Sequence, residues 1–171
     1  MTDPPHSGGA SDERRGVGAG SSQPAWVGPR PVPLTTLVGR EQDTQSLRAL
    51  LVRRELRLVT LTGPGGVGKS RLAIAVASVI DSGFETVAFV PLASVRDSDL
   101  VMATIARAVG LRTAEVPTPD VLGRFLQSRT MLLILDNLEH LLNARSELAE
   151  LLYATLFRHL VVVRGRPWTE P

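Results

Sequence analysis

The run Gly63-Pro64-Gly65-Gly66-Val67-Gly68-Lys69-Ser70 leaves few folds open to this chain. It follows a β-favouring stretch, Leu56 to Thr62 (LRLVTLT), and opens Lys69 to Ile80, where Leu72, Val76, Val79 and Ile80 recur at helical spacing. Strand, glycine loop and helix in that order form an anion cradle. Glycines let the backbone turn with its N–H groups inward and let phosphate oxygens approach with no Cβ in the way. The helix start adds unpaired N–H donors and about half an elementary positive charge. The pattern G-x-x-x-x-G-K-[ST] is complete, so Lys69 is expected to reach the β- and γ-phosphates of a purine nucleoside triphosphate, and the Ser70 hydroxyl to ligate Mg2+. The competing reading is a connecting turn whose lysine points into solvent. Against it stand the full match, the strand–helix context, and the fact that Lys69 is the only lysine in the chain.

The rest of the sequence alternates strand and helix signals. Glu41 to Arg54 places Leu47, Leu50 and Leu51 on one helical face, and Val87 to Leu92 (VAFVPL) reads as a strand with Pro91 at or beyond its end. Asp97 to Val109 is a helix stopped by Gly110, and Asp120 to Ser128 a short helix with Val121, Leu122, Phe125 and Leu126 inward. Met131 to Leu135 (MLLIL) is a strand ending at Asp136, Leu138 to about Phe157 a leucine-rich helix, and Leu160 to Val163 a further strand. Continuous apolar strands separated by helices predict a parallel sheet buried on both faces, in an α/β three-layer sandwich. Residues 1–33 are rich in Gly, Ser and Pro and lack a hydrophobic period, so they read as a disordered leader with Trp26 a stray aromatic or loose docking contact. Residues 34–171 form the nucleotide-binding domain.

Composition excludes several classes. Hydrophobic residues at 43% and charged residues at 21% match globular usage. No apolar run reaches the roughly 18 to 20 residues of a membrane span, and the first residues carry no signal-peptide core, so a cytoplasmic location is expected. The absence of cysteine removes disulfides and thiolate metal sites. A net charge of +2 gives little support for a nucleic-acid surface.

A hard cation that keeps its waters and two phosphate oxygens needs a carboxylate nearby. Asp136 ends its strand at the carboxyl edge of the sheet, beside the loop, and is the expected second metal residue; alone, an aspartate there is a cap or turn residue. Hydrolysis also needs a group that orients or deprotonates water. Asn137 is an amide and cannot accept a proton, which predicts slow turnover. Glu139 and His140 are the nearest titratable candidates, each with the plainer reading of a solvated first helical turn.

These residues resemble a known family. Leu37-Val38-Gly39-Arg40-Glu41, then LVTLTGPGGVGKSRLA with its Walker A loop, then LLILDNLEHLL as Walker B, are similar to the NB-ARC, AAA-like ATPase domain of the signal-transduction ATPases with numerous domains (STAND), found in bacterial transcriptional regulators of the LuxR and antibiotic-regulator types. The similarity covers about Leu34 to Leu152. It implies a P-loop NTPase fold binding ATP or ADP with Mg2+. It implies that Val38, Gly39 and Arg40 lie against adenine and ribose, that Gly63 to Ser70 and Arg71 hold the phosphates, and that the last strand sits between the loop strand and the Asp136 strand. Lined up on VVV, Arg166 takes the place of an arginine that senses the γ-phosphate, so the catalytic candidates are Lys69, Glu139 and Arg166. The segment departs from the family near Tyr153, with Arg164-Gly165 where a Thr-Ser-like pair is usual. The domain is therefore expected to be incomplete at its C-terminus, without lid or edge strand, from a truncated or frameshifted gene.

Three functions compete. The first is a slow ATPase switch in a signalling or transcriptional regulator, partnered by other domains or chains. The second is a non-catalytic nucleotide-binding fragment, and the third a small-molecule phosphotransferase, which would need an arginine-bearing acceptor lid that the sequence does not display. No basic helix-turn-helix pattern is apparent, so direct DNA contact is not expected of this chain.

Overall fold

The strand from Met131 to Asp136 is buried along its whole length and forms the middle of the sheet. The computed structural model describes residues 23–32, 37–53, 55–80, 83–141, 144–154, 159–163 and 165, with only the backbone of 159 and 160. The elements in chain order are β1 (Ala25–Val27), α1 (Glu41–Val52), β2 (Leu58–Leu61), α2 (Lys69–Val79), β3 (Thr86–Pro91), α3 (Leu100–Ala108), α4 (Pro119–Gln127), β4 (Met131–Asp136), a 3-10 turn (Leu138–His140), α5 (Arg145–Ala154) and β5 (His159–Val163). The five strands run parallel in the order β1-β3-β4-β5-β2. β5 lies between the loop strand and the Asp136 strand, as the resemblance implied.

Alternation along the central strands divides the core in two. Met131, Leu133 and Leu135 of β4, with Ala88, Val90 and Val162, face α3, α4 and α5. Leu132 and Ile134, with Val87, Val161 and Val163, face α1 and α2. This is the three-layer sandwich expected from buried parallel strands. β2 is the exception: at a sheet edge among the described residues, it buries Val59 but leaves Leu58 and Thr60 exposed. Pro91 is the last residue of β3, where no further ladder donor is required of it.

Two stretches differ from expectation. Part of the leader is a strand: β1 pairs with β3, Ala25 N–H donates to the Glu85 carbonyl at 2.9 Å, and Trp26 packs on the core beside α1 and α2. An edge strand needs backbone partners rather than a hydrophobic period, so a Gly/Pro-rich composition hid it. The leucine-rich run after β4 is not one helix. A 3-10 turn (Leu138–His140) and a separate helix α5 stand in its place, with Leu141 and Ala144 both buried between them. α5 then packs on α4 through glycine: a Cβ on Gly123 would stand 2.9 Å from Ala154 Cβ. Gln127 Nε2 closes the contact by donating to the Ala154 carbonyl.

Candidate functional site

Register sets the site before any side chain is considered. Pro91, Asp136 and Val163 are adjacent in the ladder, and Leu61 pairs with Val163, so four strands end in one row. The glycine loop, the turn at Asn137 and Gly165 therefore rise from the same carboxyl edge, where open parallel sheets bind ligands. They enclose a cleft of about 290 Å3 lined by Gly65, Gly68, Lys69, Ser70, Asp136 and Glu139 among others.

The loop side is built by its glycines. Gly66 and Gly68 hold φ of +78° and +85°, a left-handed backbone that other residues adopt at a cost of about 1–2 kcal/mol. Gly68 is also the N-cap of α2 and offers no side-chain cap. The first helical bond inside α2 is Leu72 N–H to the Gly68 carbonyl at 2.9 Å, so the N–H groups of Lys69, Ser70 and Arg71 carry no i−4 bond of that helix. Lys69 Nζ donates to the carbonyls of Gly63 at 2.9 Å and Pro64 at 2.7 Å. The ammonium thus lies over its own loop, in place to transfer those bonds to phosphate oxygens.

The strand side is held by backbone. The Asp136 carbonyl accepts from Leu92 N–H at 2.9 Å, and Asn137 N–H donates to the Val163 carbonyl at 3.1 Å, pinning the end of β4 from both neighbouring strands. Asp136 is 8% exposed and the only buried charged residue among those described. Ser70 Oγ donates to its Oδ1 at 2.7 Å. Burial raises the Asp136 pKa above the usual aspartate value; the Ser70 hydroxyl and the Asn137 N–H oppose that, and the neighbouring Glu139 charge adds to it. A carboxylate and a hydroxyl side by side are hard oxygen donors of the kind Mg2+ takes. Ser70 and Asp136 would hold the ion, which would supply charge neutralisation at the phosphates.

Asn137 has φ +62° and ψ +48°, the one described non-glycine residue with positive φ. That conformation reverses the chain into the 3-10 turn and brings Glu139 back to the cleft. The reading of Glu139 as a solvated helical turn is corrected here: its Oε2 is buried and makes no hydrogen bond. The sequence could not show this, because it depends on the left-handed Asn137. His140 is exposed and its Nε2 lies 2.7 Å from the Val95 carbonyl, tying the turn to the loop after β3.

Val38, Gly39 and Arg40, expected against adenine and ribose, lie outside the lining of this cleft. Gly39 has φ +71°, Arg40 is the N-cap of α1 and lies 2.8 Å from Asp43, and Val38 is 83% exposed. α1, which this turn opens, packs on α2, the loop's own helix. Arg71 lines the cleft. Arg166 lies outside the described residues.

Comparison with known proteins agrees with this architecture. The chain is 52% identical over 101 residues to a Mycobacterium tuberculosis protein provisionally named an HTH-type transcriptional regulator, a match covering 57% of this chain and 11% of that protein. It is 40% identical over 113 residues to an uncharacterized protein of the same organism, covering 65% of this chain and 28% of the relative. The chain thus spans only a fraction of the length of these relatives. Among solved structures, the crystal structure of Cdc6p from Pyrobaculum aerophilum shares the fold, with a TM-score of 0.60 and 24% identity over 81% of this chain and 41% of that one. The NB-ARC domain matches residues 40–143, more than half of the chain, and with the loop, the parallel sheet and Asp136 in place, the chain belongs to the NB-ARC family of P-loop NTPase domains.

Proposed function

We propose that this chain binds ATP with magnesium and works as a slowly hydrolysing switch module of a transcriptional regulator. The observation that carries the reading is the Ser70–Asp136 hydrogen bond of 2.7 Å across the cleft from the glycine loop. It joins the two expected metal residues although 66 positions separate them in sequence. The α2 N–H groups and Lys69 bind the phosphates, Arg71 flanks them, and Ser70 and Asp136 hold the ion. Val38, Gly39 and Arg40, at the start of α1, receive the adenine and ribose. ATP is favoured over GTP by the family resemblance, and the sequence shows no Asn-Lys-x-Asp guanine reader. The relatives' size and provisional name support other regulator domains as partners, with DNA contact made by them rather than by this chain. No described helix is long and apolar enough to cross a membrane, and we assign the module to the cytoplasm.

Titration of wild type and Lys69→Ala with ATP, ADP and GTP in the presence of magnesium tests the reading. Loss of ATP and ADP binding in the variant is expected, and equal affinity in both proteins would sink it. Turnover is expected below about 1 per second, the lower end of typical enzyme rates.

A further inference from the structure

A second cavity, of about 400 Å3, opens beside the C-terminal end of α3 and shares no lining residue with the nucleotide cleft. Its origin lies in the way α3 stops. Gly110, at φ +80°, reverses the chain; its N–H donates to the Arg107 carbonyl at 3.2 Å, and Leu111 N–H donates to the Ala106 carbonyl at 2.8 Å. In such a cap the side chain after the glycine frequently packs back on the helix residue that accepts its N–H. Leu111 meets only Ala106 there, with Ala103 one turn earlier on the same helix face. Two alanines where larger side chains would fill the groove leave an apolar floor. The opposite wall is the loop to α4, with Val116 exposed on it. Thr113 Oγ1 donates to the Glu115 carbonyl at 2.9 Å and accepts from the Glu115 N–H at 3.3 Å, which folds that loop into a definite shape.

The rim is charged. Arg107, in the last turn of α3, and Arg112, just past the cap, both line the cavity and are exposed. Neither guanidinium forms an ion pair with a described residue. A positive charge at a helix C-terminus is favourable in itself, which accounts for Arg107 but not for Arg112. Glu115 is the one acid in the lining and pairs with neither, so the rim carries one surplus positive charge. We propose that this cavity binds a small organic monocarboxylate, with its apolar body on Ala103, Ala106, Leu111 and Val116 and its carboxylate held by Arg107 and Arg112. The planar guanidinium presents paired N–H donors that match a carboxylate. One surplus charge suits a monoanion, whereas Glu115 repels a phosphate dianion. The volume falls in the range of small-molecule sites, which are apolar with a few convergent polar groups. Because the cleft and this cavity have no residue in common, occupancy here goes beyond the ATP-binding reading and does not depend on it.

The test is an NMR titration of the full, isotope-labelled chain with octanoate, beside octanol, acetate and inorganic phosphate. Saturable octanoate binding is expected, with amide shifts centred on residues 103–117 and an affinity at least about tenfold above each of the other three. Arg107→Gln and Arg112→Gln should each weaken octanoate by about tenfold and leave octanol as in wild type, at an unchanged melting temperature. Ala103→Leu, which fills the floor from a half-buried position, should weaken octanoate and octanol alike. Octanol binding as tightly as octanoate would mean an apolar crevice in which the arginines play no part, and phosphate binding as tightly would mean a plain anion patch. Shifts centred on Gly63 to Ser70 would place octanoate in the nucleotide cleft. Any of these, or no saturable octanoate binding up to about 1 mM, would overturn the proposal.

Discussion

The two walls of the cleft solve opposite problems. On the loop side Lys69 already has partners in the Gly63 and Pro64 carbonyls, and the backbone is relaxed because glycine occupies the left-handed positions. On the strand side a buried Asp136 has its pKa raised by burial, and Glu139 keeps an oxygen unpaired. One wall is satisfied while empty; the other carries an uncompensated cost. On the proposed ATP-binding reading, a cation bridging to phosphate would relieve that cost.

Four substitutions sharpen or break this contrast, from the largest effect down. Lys69→Ala should cost on the order of 100-fold in ATP affinity, about 2.8 kcal/mol, while hardly changing the melting temperature of the empty protein; calorimetry with thermal melts checks both. Ser70→Ala leaves the buried Asp136 carboxylate without its hydroxyl donor. It should destabilise the empty protein by about 1–3 kcal/mol, read from denaturant unfolding, and should remove the magnesium dependence of binding. Gly68→Ala forces a Cβ onto φ +85° and should cost about 1–2 kcal/mol, with a matching fall in the denaturation midpoint. Asp136→Asn should shift stability least and in the opposite direction, stabilising the empty protein near neutral pH while abolishing metal-dependent binding.

That last prediction has a pH signature. A carboxyl whose folded pKa is raised binds more protons folded than unfolded across the interval between the two values, so stability falls as pH rises through it. Above the folded pKa of Asp136 the full penalty is present; below the ordinary aspartate value it is absent. Wild type should therefore lose melting temperature as pH climbs through that interval, and Asp136→Asn should lose that slope. An unchanged slope would mean that burial of this carboxylate is not what separates the two walls.

Local chemistry decided what could be read from the sequence. The loop needed only a complete motif between a strand and a helix, and β4 needed only an unbroken apolar run ending in Asp136. Both features are written within a few residues, and both walls were legible because of it. β1 was not, since its hydrogen bonds come from β3, a partner some 60 positions away in the register Ala25–Thr86. The inward turn of Glu139 was not, since it depends on one left-handed asparagine, Asn137, and on Gly165, far along the chain, whose missing Cβ makes room. The leucines from 138 to 152 gave the right element type and the wrong continuity, because periodicity does not show that the run is divided into a 3-10 turn and a separate helix α5.

Trp26 gives the molecule a built-in optical reporter. It sits on β1 opposite Val87, at the amino-terminal half of β3 and on the sheet edge away from β2, with Arg30 at 5.7 Å from its ring. Four strand spacings separate that edge from the loop strand, roughly 19 Å. Its emission should follow docking of the leader strand and stay silent to nucleotide, once Trp168, the other indole, is replaced by phenylalanine. Detachment of the leader can then be followed by its emission without interference from filling of the cleft.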